Sequence, residues 1–152
     1  MLTFTAINIS HAKICAQLDS LCFDSEVFDL TMIQSLLSTP YVSGCLAMEG
    51  EDAIGYALFS HSGGEGDLLT ISILPNKRGQ GYGKKLLMEV FKMANAQKIE
   101  KLFLEVRVSN QAAIQLYQNQ GGKTIGRRAN YYSIANSTQK EDALVMELPI
   151  KI

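Results

Sequence analysis

The chain has no tryptophan, three cysteines and two histidines among its 152 residues. Cys15, Cys22 and Cys45 cannot all pair within one chain, and their spacing fits no zinc pattern. Each stands among apolar neighbours, which reads as buried thiols. His11 and His61 are isolated from any cysteine or carboxylate cluster in the sequence, so no metal is implied. No apolar run approaches the roughly 18 residues that a membrane span needs. Neither sign of charge dominates, because 14 basic against 15 acidic side chains leave a net charge of −1. That balance speaks against non-specific nucleic-acid binding, while leaving room for a local basic pocket that takes a phosphorylated small molecule. The opening Met1-Leu2-Thr3-Phe4-Thr5 lacks the basic and apolar blocks of a signal peptide, so the expected location is the cytoplasm. No repeat, low-complexity tract or linker interrupts the chain.

What is present is enough apolar matter for a core. Hydrophobic residues make up 47 %, and the length predicts one domain over residues 1–152. Ser10 is the expected cap of a first helix whose stripe is Ile14, Cys15, Leu18, Leu21 and Cys22. A short helix from about Thr31 to Leu37 is stopped by Pro40. Strand patterns follow at Val42 to Met48, Ala53 to Phe59 and Asp67 to Leu74, separated by the turns at 49–52 and 62–66. Gly81 to about Gln97 is helical, with Leu87, Val90, Phe91 and Ala94 on one face. Lys101 to Val106 reads as a strand, Asn110 to Gln120 as a helix, and Lys123 to Arg128 and Ala143 to Leu148 as strands. That order predicts an α/β or α+β sheet with helices packed on it.

The most informative stretch is Pro75-Asn76-Lys77-Arg78-Gly79-Gln80-Gly81-Tyr82-Gly83-Lys84-Lys85, between a strand and a helix. Glycine lets a backbone approach a ligand closely, and the first turn of a helix offers unpaired N–H groups and a positive dipole end. Together they suit an anion, phosphate above all, with Lys77, Arg78, Lys84 and Lys85 adding positive charge. A Walker loop fails here for want of a glycine at Arg78 and a hydroxyl at Lys85. The dinucleotide fingerprint lacks its third glycine at Lys84, although Glu105 lies about 20 residues on, where the acidic partner would fall. A plain tight turn at a helix start remains the alternative.

The spacing Arg78-x-x-Gly81-x-Gly83 resembles the pyrophosphate-binding motif of the GCN5-related N-acetyltransferase (GNAT) family. The likeness continues through Leu104-Glu105-Val106-Arg107-Val108-Ser109-Asn110, Ala112-Ala113-Ile114-Gln115-Leu116-Tyr117, Arg127-Arg128-Ala129-Asn130-Tyr131-Tyr132 and Glu141-Asp142-Ala143. This set is similar to the branch that acetylates the N-terminal alanine of a bacterial ribosomal protein. Its motifs cover about Leu68 to Leu148, and the first half matches only in the order of its elements. Two departures stand out. The branch's Pro-Trp pair after the first helix is absent, and Asp24-Ser25-Glu26-Val27-Phe28 stands there, on the expected acceptor side. Gly121-Gly122 replaces the family's Gly-Phe after the last helix, which removes a packing aromatic.

The resemblance implies a mixed, mostly antiparallel sheet, splayed between two parallel strands, with helices on both faces. It implies acetyl transfer from acetyl-CoA, without a metal, to a primary amine, with the ribosomal-protein N-terminus as acceptor and neither nucleic acid nor membrane as a partner. Such a reaction needs a base for the amine, an acid for the leaving thiolate and a donor for the oxyanion. The resemblance aligns Glu105 with the general base and Tyr117 with the proton donor to sulfur. It aligns Ile71, Ser72 and Ile73 with the strand whose main chain pairs with the pantetheine arm, Ile73 N–H holding the thioester oxygen. Arg78, Gly79, Gln80, Gly81, Tyr82, Gly83 and Lys84 would take the pyrophosphate, and Asn110 would contact CoA. Tyr131 and Tyr132 would line the acceptor cleft. Pattern alone leaves other readings open: an outward charge at Glu105, a core aromatic at Tyr117, a helix cap at Asn110 and an edge-strand pair at Tyr131 and Tyr132. The same fold acting on another amine, or a module that binds CoA or a nucleotide without catalysis, is the rival function.

Overall fold

Along residues 1–151, which the computed structural model describes, run β1 (Leu2–Ala6), α1 (Ala12–Cys22), α2 (Leu30–Leu37), β2 (Val42–Glu49), β3 (Asp52–Ser62) and β4 (Glu65–Ile73). Then follow α3 (Tyr82–Ala96), β5 (Lys101–Arg107), α4 (Gln111–Asn119), β6 (Lys123–Ser133) and β7 (Lys140–Pro149). The strands form one seven-stranded sheet in the order β1-β2-β3-β4-β5-β7-β6. All its pairings are antiparallel except β4 with β5.

The two-residue period of the strands sorts their side chains between two helical layers. Cys45 and Ala47 of β2, with Ala57 and Phe59 of β3, pack with Leu86, Leu87, Val90 and Phe91 of α3 and with Ile114 and Tyr117 of α4. Leu46, Tyr56 and Leu58 point to the opposite face, against Ala12, Cys15 and Leu18 of α1 and Ile33 of α2. Removing a Leu or Phe side chain of this kind from water is worth about 1.5–3 kcal/mol. On β5 the alternation places Leu102, Leu104 and Val106 in the core and leaves Lys101, Phe103, Glu105 and Arg107 half-buried on the other side.

The feature that shapes the site is a fork. β4 and β5 pair only at Glu65↔Lys101, Gly66↔Leu102 and Asp67↔Phe103. Beyond that, among the described residues, Leu68 and Thr70 to Ile73 pair with β3 and residues 104–107 with β7, and the two strands no longer pair with each other. The two strands therefore diverge toward their C-terminal ends, with α3 and α4 starting just beyond.

Five expectations need correction. The apolar pattern does not show β1, a five-residue strand that forms by pairing Leu2–Ala6 against Cys45–Glu49 of β2. Ser10 caps nothing: Asn8 Oδ1 accepts the Ser10 N–H at 2.9 Å, and His11 Nδ1 accepts the Asn8 N–H at 3.0 Å, closing a reciprocal box around the turn Ile9–His11. Leu21 is not on the buried stripe of α1 but 62 % exposed. Cys15 and Cys45 are buried, whereas Cys22 is only half so. β3, β6 and β7 also run further than the apolar patterns reach, because ladder pairing continues through polar residues.

Candidate active site

The turn after β4 begins with Pro75, whose missing N–H costs nothing at the start of the 3₁₀ turn Pro75–Lys77. Gly79 and Gly81 both have φ +80°, the left-handed region, and a Cβ built on either would meet nothing within 4 Å. Glycine is required there by the backbone and not by crowding, and the turn lies open to solvent. Among the described residues, no protein acceptor takes the N–H groups of 79–81 or of the first turn of α3 at 82–84, and the first bond in is Lys85 N–H to Gly81 O at 3.2 Å. Six successive donors at the positive end of a fifteen-residue helix make a cradle suited to an anion.

Side chains contribute less charge to this cradle than the sequence suggested. Lys77 is held by Glu49, which also accepts the Tyr82 hydroxyl at 2.9 Å. These two bonds hold the Glu49 carboxyl below its ordinary range. Arg78 turns inward, its Nε donating to Ile73 O at 2.9 Å and its Nη2 reaching Cys22 O at 3.5 Å. Arg78 thus braces the turn against the ends of β4 and α1. Lys84 and Lys85 remain exposed beside the cradle.

On β4, Leu74 N–H donates to Ile54 O at 2.8 Å across β3. With the register Gly55↔Ile73 and Ala57↔Ile71, antiparallel alternation turns the main-chain groups of Ile71 and Ile73 away from β3, into the fork. An extended arm could add there as a further strand. Ser72 points the other way. Its Oγ is buried without a hydrogen-bond partner, next to the Cys22 thiol, which burial pushes upward in pKa. These are the features a phosphorylated, pantetheine-bearing ligand such as acetyl-CoA requires: a donor cradle for the phosphates and a free strand edge for the arm.

Across the fork stands Glu105. Its Oε2 is buried, and Arg128 Nε lies 3.0 Å from it as an ion pair without hydrogen-bond alignment. Tyr131 lies beside it: contact with the Glu105 carboxylate raises the Tyr131 phenol first, and burial second. Tyr132 meets Tyr131 edge to face, 4.9 Å between centroids. Burial, then the charge of Glu105, pushes the Tyr132 phenol up to about 12. Tyr117, 5 % exposed on α4, also has its phenol raised by burial, with Tyr132 as the next cause. All three phenols keep their protons at neutral pH and can donate them. Asn110 caps α4, its Oδ1 accepting Ala113 N–H at 3.2 Å. Gly83 faces Leu116 of α4, so α3 and α4 approach each other between the cradle and Tyr117.

Several residues here escaped the sequence reading. Asp19, 1 % exposed, accepts the Tyr56 hydroxyl at 2.6 Å and the Phe28 N–H at 2.7 Å, pinning the loop at 23–29. Ser25 and Glu26 of that loop bond to Ser133 at the end of β6. Glu26 has φ +56°, and Asn130, within the bulge of β6, φ +51°. Two signals were available: the resemblance already set Asp24–Phe28 on the acceptor side, and the strand period puts Arg107, two residues from Glu105, on the same face. Among the described residues, no group of His, Cys, Asp or Glu is placed to hold a metal, and no helix is long and apolar enough to cross a membrane.

Comparison with known proteins gives the same direction. The chain is 29 % identical over 140 residues to N-alpha-acetyltransferase RimI of Mycobacterium tuberculosis, covering 89 % of this chain and 87 % of that one. It is 38 % identical over 88 residues to the [ribosomal protein bS18]-alanine N-acetyltransferase of Escherichia coli, 58 % of each chain. Its fold superposes on the crystal structure of the ribosomal-protein-S18-alanine N-acetyltransferase from Escherichia coli with a TM-score of 0.91, over 100 % of this chain and 96 % of that one, at 24 % identity. The family model for the acetyltransferase (GNAT) family matches residues 13–121, and with that match the chain belongs to the GNAT family and is an acetyl-CoA-dependent N-acetyltransferase.

Proposed function

We propose that this chain acetylates the N-terminal amine of a protein, and that its acceptor is the N-terminal alanine of a small-subunit ribosomal protein. The observation that carries the reading is the fork. The main-chain groups of Ile71 and Ile73 line one arm, and Glu105 stands on the other with Tyr131 and Tyr132 beside it and Tyr117 next to Tyr132. The similarity to RimI proteins supports the choice of acceptor.

Acetyl-CoA supplies the acetyl thioester. The N–H groups of residues 79–84 bind its pyrophosphate, with Lys84 adding charge, and Asn110 contacts CoA beside its capping role. Ile71 and Ile73 receive the pantetheine arm along their backbone and Ile73 N–H steadies the carbonyl oxygen, whereas Ser72, expected there too, turns its main-chain groups to Tyr56 of β3 and makes no pair with the arm. An α-amino group has a pKa of about 7.7–8.0, so much of it arrives protonated. Glu105 takes that proton, directly or through one water, and the acceptor ammonium replaces Arg128 as the partner of the carboxylate. The freed amine nitrogen bonds to the thioester carbonyl carbon, the C–S bond breaks, Tyr117 gives its proton to the departing sulfur, and the second proton shed by the nitrogen restores the phenol. Tyr131 and Tyr132 form the wall against which the acceptor backbone rests.

The test is acetyl transfer to an alanine-start peptide from a small-subunit ribosomal protein, followed by mass spectrometry beside a polyamine. Acetylation confined to the peptide's α-amine is expected. Turnover of the polyamine alone would reject the protein acceptor. The polar loop Asp24–Phe28, in place of a Pro-Trp pair, is the feature that favours that second outcome.

A further inference from the structure

Arg107 belongs to neither the cradle nor the base, yet its side chain bonds to three separate segments of the chain. From β5 its Nη1 donates to Ser133 O of β6 at 2.8 Å and to Glu141 Oε2 of β7 at 3.2 Å. Its Nη2 donates to Ser25 Oγ, in the loop after α1, at 2.8 Å. The guanidinium carbon lies 4.5 Å from the centroid of the Tyr132 ring. Ser25 Oγ in turn donates to Ser133 O at 2.9 Å, and Ser133 N–H donates to Glu26 Oε1 at 3.0 Å. Glu141 is fixed from its other side by Ser109 Oγ at 2.6 Å. One planar cation thus fastens the loop 23–29 to the end of β6 and stacks on the aromatic ring that follows Tyr131.

We infer that Arg107 is the positioning residue of the acceptor cleft: it holds the loop 23–29 and the Tyr131–Tyr132 wall in register with Glu105, and leaves the cradle at 79–84 untouched. The inference rests on the acceptor reading above. The physical ground is geometry. A guanidinium presents a rigid fork of donors in one plane and a flat face for stacking. A lysine carries the same charge on a single point and cannot serve Ser25, Ser133 and Glu141 together while covering Tyr132. The contacts of the cradle, Arg78 to Ile73 O and Glu49 to Tyr82, share no atom with this cluster.

The experiment uses the full chain with Arg107→Lys and Ser25→Ala. Arg107→Lys is expected to raise KM for an alanine-start peptide about tenfold while KM for acetyl-CoA stays within about twofold. Ser25→Ala, which removes one acceptor from the fork, is expected to give the same split at about two- to threefold. Wild-type peptide KM in Arg107→Lys, or equal changes in both KM values, would overturn the inference. Hydrogen exchange without any acceptor provides the second reading. Residues 23–29 and 130–133 should exchange faster together in Arg107→Lys, while 82–96 keep their rates. Unchanged exchange in both segments would also overturn it. If wild type transfers nothing to any peptide, the acceptor reading fails, and the exchange data still decide whether Arg107 is the clamp.

Discussion

The turn at 78–84 and the wall made by residues 23–29, 105–107, 117 and 128–133 meet across one fork but are made differently. The turn presents backbone: six N–H groups, two glycines at φ +80°, and an arginine and a lysine committed to holding it in place. The wall presents side chains drawn from a loop, two strands and a helix, bonded to one another across more than 100 residues of sequence at Ser25–Ser133 and Glu26–Ser133. A backbone cradle suits a ligand whose phosphates do not vary. A side-chain wall can be recut for another amine without disturbing the cradle.

Chemistry gives the sharpest separation of the two. Glu105→Gln should lower kcat about 10²- to 10⁴-fold, the usual worth of a positioned base, and Tyr117→Phe should lower it less. Calorimetry should find CoA affinity unchanged in both. For wild type, kcat/KM should rise from acid pH toward about pH 8, where the acceptor amine loses its proton. A profile equally flat in wild type and Glu105→Gln would remove Glu105 from the mechanism.

The cradle should fail in the complementary way. Gly81→Ala puts a Cβ on a backbone at φ +80°, a strain of about 1–2 kcal/mol, and CoA affinity should fall about tenfold. Peptide KM, measured at saturating acetyl-CoA, should move little. If peptide KM rises as much as CoA affinity falls, the two regions are not separable.

The smallest effect concerns acid. Hydrogen bonds from Ser109, and then Arg107, hold the Glu141 carboxyl below its ordinary value of 4.5. A carboxyl whose pKa is lowered on folding contributes stability above its unfolded value, and that stability is lost as pH falls through the lower folded one. Between pH 6 and about pH 3, Glu141→Gln should therefore lose less in Tm than wild type. Equal losses would mean that Glu141 adds nothing to the wall.

How much of this was legible follows from the same contrast. A left-handed turn followed by a helix start is local, so the spacing Arg78-x-x-Gly81-x-Gly83 already located the cradle. Glu105 was legible only through the resemblance, because pattern alone reads it equally as an outward charge on the half-buried face of β5 that also carries Lys101 and Arg107. Ser25 and Glu26 were not, since nothing near residue 25 points to residue 133. Lys77 misled for a related reason: its charge is plain in the sequence, but its partner Glu49 lies at the far end of another strand. β1 escaped because a five-residue strand at the chain's start gains its identity from the neighbour it pairs with.

The sequence by itself determined the order of helices and strands after residue 12, the open glycine turn and the core faces, because periodicity, capping and φ restrictions act over a few residues. Only the tertiary structure decided that β4 and β5 part after three paired residues, that Arg128 covers Glu105, and that Arg107 draws four segments together. Those outcomes depend on which surfaces meet when the sheet closes on its two helical layers, and short-range chemistry carries no record of them.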